Sequence, residues 1–88
     1  MQPVQNEQQL GAALRERRRQ AALTQAQVAE RAGVSRAFVT DLERGRRPRA
    51  ELHRVLAVIR ALDAGVTLAT AQTKTALQAL DELLGRSR

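Results

Sequence analysis

Cysteine is absent from this 88-residue chain, which excludes disulfides and thiolate metal sites as staples of the fold. Tryptophan and tyrosine are absent as well, leaving Phe38 as the one aromatic residue. Proteins that hold single strands or read RNA stack bases on several rings, and one phenylalanine cannot supply them. The one histidine, His53, has no clustered serine or carboxylate pair near it, so no nucleophilic or acid/base constellation is visible and no enzyme is expected. His53 reads as a surface or interface residue, with a pH-linked role as the minor alternative. The acidic pairs Asp41/Glu43 and Asp81/Glu82 are too sparse for a metal site, and neither a cofactor nor a small-molecule ligand is implied. Apolar runs last only a few residues, far short of a membrane span, and Met1-Gln2-Pro3-Val4 lacks a signal-peptide pattern. The expectation is a soluble cytoplasmic, nucleoid-associated protein forming one small domain over 1–88.

What is present is positive charge, and it is unevenly placed. Residues 15–49 hold ten arginines against four acidic side chains, which equals the +6 net charge of the whole chain. A basic region of this kind is the electrostatic footprint of a phosphate-binding surface, and Arg17 falls in it. A solvated helix face at Arg15, Arg17, Arg18 and Arg19 is the alternative reading.

The same region, LTQAQVAERAGVSRAFVTDLERG over 23–45, spaces two short helices about a tight turn. Thr24 and Gln27 fit a capping box that starts the first of them. Val28, Ala29 and Ala32 keep helical spacing, and Gly33 stops the helix where positive φ is commonly needed. Ser35 restarts it. Val34 and Val39 point inward, while Arg36, Ala37 and Thr40 share the opposite face. A helix-turn-helix places such a face in the DNA major groove, so these three are the expected base-reading residues. Phe38 either wedges into the core or lays its ring along the sugar-phosphate backbone.

Elsewhere the periodicity predicts three more helices. Asn6 and Gln9 offer a cap for a helix over about 7–21, with Leu10, Ala13, Leu14, Arg17, Arg18 and Ala21 on an inward stripe. An inward Arg18 demands a carboxylate, and Glu43 is the natural partner. The segment Arg44-Gly45-Arg46-Arg47-Pro48-Arg49 reads as a loop beside the second short helix, whose Arg44, Arg46 and Arg47 either clamp the DNA backbone or merely solvate a linker. A helix near 50–62 carries Leu52, Val55, Leu56, Ile59 and Leu62, and Asp63-Ala64-Gly65 ends it. Val66-Thr67-Leu68-Ala69-Thr70 alternates as a short strand does, with an irregular linker as the alternative. One strand needs a partner, and a second copy of the chain is the simplest source. Residues 71–84 read as an amphipathic helix with Ala76, Leu77, Leu80, Leu83 and Leu84 on one side and Gly85 as its stop. Its leucines need cover from the other subunit or from a different protein. The dimer contact is therefore assigned to Val66, Thr67, Leu68, Leu77 and Leu80.

The pattern Thr24-Gln25, Ala29, Gly33-Val34-Ser35, Val39, Leu42, Glu43 and Gly45 resembles the Cro/repressor class of helix-turn-helix proteins over about residues 10–62. That resemblance implies an all-α, five-helix lambda-repressor-like fold, with a helix-turn-helix core over 7–64 and a dimerisation strand and C-terminal helix over 65–88. It implies Gln25 and Ser35 on the DNA backbone, with Gln25 also bracing a base-reading side chain, and an ion pair between Arg18 and Glu43. More narrowly, Ala61-Leu62-Asp63-Ala64-Gly65-Val66-Thr67-Leu68 after such a core resembles the HipB-type antitoxins. This implies a homodimeric repressor of its own operon, bound to a palindromic double-stranded operator, that neutralises a HipA-like kinase toxin. A stand-alone regulator without a toxin is the other reading. The tryptophan-bearing tail of that family is missing here, so the mode of toxin contact does not carry over.

Overall fold

The structure, a computed structural model, describes residues 3–70, 80, 81 and 83–85. Four helices build the core: α1 (Glu7–Gln20), α2 (Gln25–Ala32), α3 (Arg36–Glu43) and α4 (Leu52–Ala61). Residues 80, 81 and 83–85 are helical too, so the last helix includes Gly85 and does not stop before it. Helix α2 packs on α3 and α4, and α1 packs on α3.

Each of the first three helices opens on a short polar side chain that accepts from the free N–H groups of the first turn. Asn6 accepts from Gln9 N, Thr24 from Gln27 N and Ser35 from Phe38 N. At Thr24 the box closes reciprocally, with Thr24 N donating to Gln27 Oε1 at 2.8 Å. Helix α4 follows Glu51, which makes no side-chain capping bond.

All four helices end the same way. A left-handed residue follows the last turn, and two successive N–H groups reach back to the carbonyls three and five residues earlier in crossed fashion. After α1 the residue is Ala22 (φ 57), with Ala22 N on Arg19 O and Leu23 N on Arg18 O. Gly33 (φ 69) does the same for α2, Gly45 (φ 69) for α3 and Asp63 (φ 53) for α4. The stop of α4 is thus Asp63 itself. Gly65, which the sequence made part of the stop, plays no such role.

The core consists of Leu14, Val28, Ala29, Phe38, Val39, Leu42, Val55, Val58, Ile59 and Leu62. Phe38 is fully inside, which settles its ring in favour of the core. The buried stripe of α1 is narrower than its periodicity suggested, because Ala13, Arg17 and Ala21 are exposed while Gly11 is buried. The reason is a close helix approach: a Cβ on Gly11 would meet Leu42 O at 2.5 Å. On α4 the inward face is Val55, Val58, Ile59 and Leu62, a regular three- and four-residue recurrence. Leu52 is instead 70% exposed, at the rim of a shallow groove that it shares with Leu10, Leu42 and Val55.

Residues 64–70 form neither helix nor strand within the single chain, and Val66 and Leu68 are exposed. A lone extended segment has no partner for its backbone groups, so the strand over 66–70 is not formed here. Leu77, assigned with it to the dimer contact, lies outside the described residues. Leu80 is helical and half exposed.

Candidate nucleic-acid interface

Helix α3 turns Phe38, Val39 and Leu42 into the core, which fixes the direction of everything else on it. Arg36 and Ala37 are left exposed, and Thr40, one turn beyond Arg36, is half-buried on the same side. Ser35 is exposed at the start of the helix, with its Oγ occupied by Phe38 N at 3.0 Å. The guanidinium groups of Arg36, Arg44 and Arg46 are exposed and have no ion pair or hydrogen bond among the described residues. They are free to meet phosphates or base edges.

Two other arginines are engaged. Arg47 lies over the Phe38 ring, its guanidinium carbon 5.3 Å from the centroid, and its Nε is 3.5 Å from Asp41 Oδ2. The cation thereby lies over a face of the aromatic ring and sits beside α3. Arg17 points elsewhere, with Nε donating to Leu62 O at the end of α4 at 3.3 Å. This contact ties α1 to the last turn of α4 and satisfies a carbonyl that the helix itself leaves free.

Beneath the exposed face runs a connected polar network. Arg18 grips Glu43 with two nitrogens, Nε to Oε2 at 2.6 Å and Nη2 to Oε1 at 3.0 Å, and gives Nη1 to Leu23 O at 2.9 Å. Side-chain exposures of 14% and 5% make this a largely buried, bidentate pair. Burial raises the Glu43 carboxyl, but the hydrogen bonds from Arg18 and Gln25, with the charges of Arg18 and Arg15, prevail and hold it below its ordinary value. The Glu43 hydrogen bond raises the Arg18 guanidinium above its own. Glu43 Oε1 also accepts from Gln25 Nε2 at 3.1 Å, and Gln25 Oε1 lies 2.8 Å from Thr40 Oγ1. The start of α2, the face of α3 and the last turn of α1 are thus joined through one carboxylate. No buried polar side-chain atom among the described residues lacks a partner.

The resemblance placed Gln25 on a phosphate; within the chain its Oε1 faces Thr40 and one of the two Nε2 donors goes to Glu43, so it braces Thr40 and keeps one N–H. Gly11 is the residue that sequence reasoning passed over. A glycine inside an otherwise helical run was the available signal, since it costs helix stability unless close packing requires it.

A family model described as a helix-turn-helix domain matches residues 9–72. The chain belongs to that helix-turn-helix family. The match takes in α2, α3, α4 and all but the first two residues of α1, with α2 and α3 as the motif and α3 as the helix that such domains present to DNA. No curated protein matches the chain significantly. Among the described residues no group of His, Cys, Asp or Glu could hold a metal ion, and no helix is long and apolar enough to cross a membrane.

Proposed function

We propose that this helix-turn-helix chain is a transcription repressor that reads a palindromic double-stranded operator as a homodimer. The observation that carries the reading is the exposed face of α3, where Arg36 and Ala37 stand free beside Thr40 on a helix locked from beneath by Arg18 and Glu43. Arg36 reads a base edge, with guanine as the partner its geometry suits best, and Ala37 and Thr40 read its neighbours. Ser35, Gln25, Arg44 and Arg46 flank that face and hold the DNA backbone, with Arg47 and Arg17 supplying charge from their anchored positions. Two copies pair through residues 66–70 as a two-stranded sheet, which gives Val66 and Leu68 the cover they lack in one chain. Residues 7–64 are then the DNA-binding core and 65–88 the dimerisation segment.

The reading extends to an antitoxin that neutralises a HipA-like kinase. Two features favour the extension: the likeness of residues 61–68 to the HipB type, and the exposed Leu80, Leu83 and Leu84, which exceed what a short strand pair needs to cover. Enrichment of duplexes from a randomised pool tests the first part, and failure to enrich any sequence refutes it. Co-purification of the intact chain from its native operon tests the second, with a kinase-like partner as the expected result and a stand-alone homodimer as the contrary one.

A further inference from the structure

The hydroxyl of Thr40 carries one proton and faces two acceptors inside its own chain. Its Oγ1 lies 2.8 Å from Gln25 Oε1 and 3.0 Å from the Arg36 carbonyl oxygen. The orientation of the Gln25 amide is dictated from its other end, where Nε2 donates to Glu43 Oε1 at 3.1 Å. Glu43 is clasped by Arg18 through both oxygens and is an ionised carboxylate, which accepts only. Turning the amide over would set Gln25 Oε1 against that carboxylate, two acceptors with no proton between them. Gln25 therefore offers Thr40 an oxygen, and an amide oxygen donates nothing. Whichever neighbour takes it, the Thr40 proton stays inside the chain.

We infer that Thr40 is a specificity-determining residue of fixed hydrogen-bond polarity. Toward the groove its Oγ1 only accepts, so it selects the exocyclic amino group of adenine or cytosine and disfavours the keto oxygen of guanine or thymine at the same position. In the major groove adenine N6 and cytosine N4 are donors, whereas guanine O6 and thymine O4 are acceptors. A threonine with a free hydroxyl could serve either kind of base by rotating its proton. Here the chain Arg18, Glu43, Gln25, Thr40 removes that freedom, and the ion pair beneath the helix sets the sign of a base contact above it. Phosphate oxygens are acceptors as well, so the same polarity turns Thr40 away from the backbone and toward the bases.

This inference rests on the proposed function, and one experiment separates their failures. The full chain and its Thr40→Val and Thr40→Ser variants are each used to enrich duplexes from a randomised pool. Adenine or cytosine is expected at one position per half-site, with the preference lost at that position alone in T40V and kept in T40S. In the enriched operator, that adenine is then replaced by 2-aminopurine, or that cytosine by its 4-deoxy analogue, each lacking the amino group in question. The unmodified chain should bind the replaced duplex about five-fold more weakly, the effect of one lost hydrogen bond, and T40V should bind both alike. The arm that shows the loss identifies the base. Because that arm uses the unaltered chain, it holds even if T40V folds poorly. A chain that enriches no sequence overturns the proposed function and this inference with it. A chain that enriches a sequence with guanine or thymine at the position T40V alters, or with no position altered, or that is indifferent to the analogue, overturns this inference alone.

Discussion

Gly11 on α1 lies against the carbonyl of Leu42 on α3, so closely that a Cβ at Gly11 would stand 2.5 Å from the Leu42 oxygen and 2.6 Å from that of Glu43. The contact brings α1 onto the last turn of α3, the same turn that carries Glu43 toward Arg18. Substitution Gly11→Ala forces two backbones apart, at a cost of about 1–3 kcal/mol even after the better helix propensity of alanine is counted. For a domain of this size each kcal/mol lowers Tm by roughly 4–8 °C. Thermal melts should rank G11A well below an alanine change at an exposed α1 position such as Arg19, and equal midpoints would show that α1 can slide without loss.

Removing one member of the Arg18–Glu43 pair strands the other in a nearly closed site. Glu43→Ala should cost about 3–5 kcal/mol, with Arg18→Ala comparable, whereas Arg19→Ala should stay within about 0.5 kcal/mol. Urea denaturation of the three variants gives the comparison. A small loss in E43A, no greater than in R19A, would mean that water reaches the pair.

The same carboxylate sets an acid limit. Its folded value lies below the ordinary one near 4.5, so it contributes stability that is fully present above the unfolded value and is lost as pH falls through the folded one. Stability should therefore decline below about pH 4.5. Glu43→Gln, which cannot titrate, should start less stable near neutrality and lose less on acidification. Parallel curves of Tm against pH for the two proteins would remove Glu43 as the cause.

Ala22 holds a left-handed backbone (φ 57) that costs an L-residue about 1–2 kcal/mol and glycine almost nothing. Part of the relief is offset by the greater freedom of glycine in the unfolded chain. Ala22→Gly should raise stability by about 0.5–1 kcal/mol, visible as a higher midpoint at unchanged slope in denaturant. A lower midpoint would count against the left-handed cap after α1.

On DNA, Arg36→Ala should remove preference at one position per half-site, at a cost of about 1–3 kcal/mol on the preferred duplex. Arg46→Ala should weaken enriched and scrambled duplexes alike and lower the salt slope by roughly one unit per half-site. Titrations at several salt concentrations distinguish the two. An R36A protein that loses equally on both duplexes would put the reading face elsewhere on α3.

The sequence by itself determined the local punctuation of this chain. Asn6, Thr24 and Ser35 start helices because a short polar side chain three residues before a free N–H can satisfy it without any tertiary help, and Gly33 ends α2 because only glycine takes positive φ without strain. The apolar spacing of Val28, Ala29, Val39 and Leu42, which turns Arg36 outward, is local in the same sense. Tertiary structure decided what depends on distance between segments. Ala22 takes a left-handed cap with no residue-type signal, because the packing of α1 fixes where its chain must turn, whereas Asp63 is of a type that tolerates that backbone and only the structure chose it over Gly65. Phe38 had two homes by periodicity, and only the assembled core gave it the inner one. Leu52 kept the period of α4 yet faces the rim of a groove, since a helical period tells which side a residue is on and not whether another element covers it. The tie from Arg18 through Glu43 and Gln25 to Thr40 spans three helices, and no spacing along one chain specifies which oxygen meets which proton.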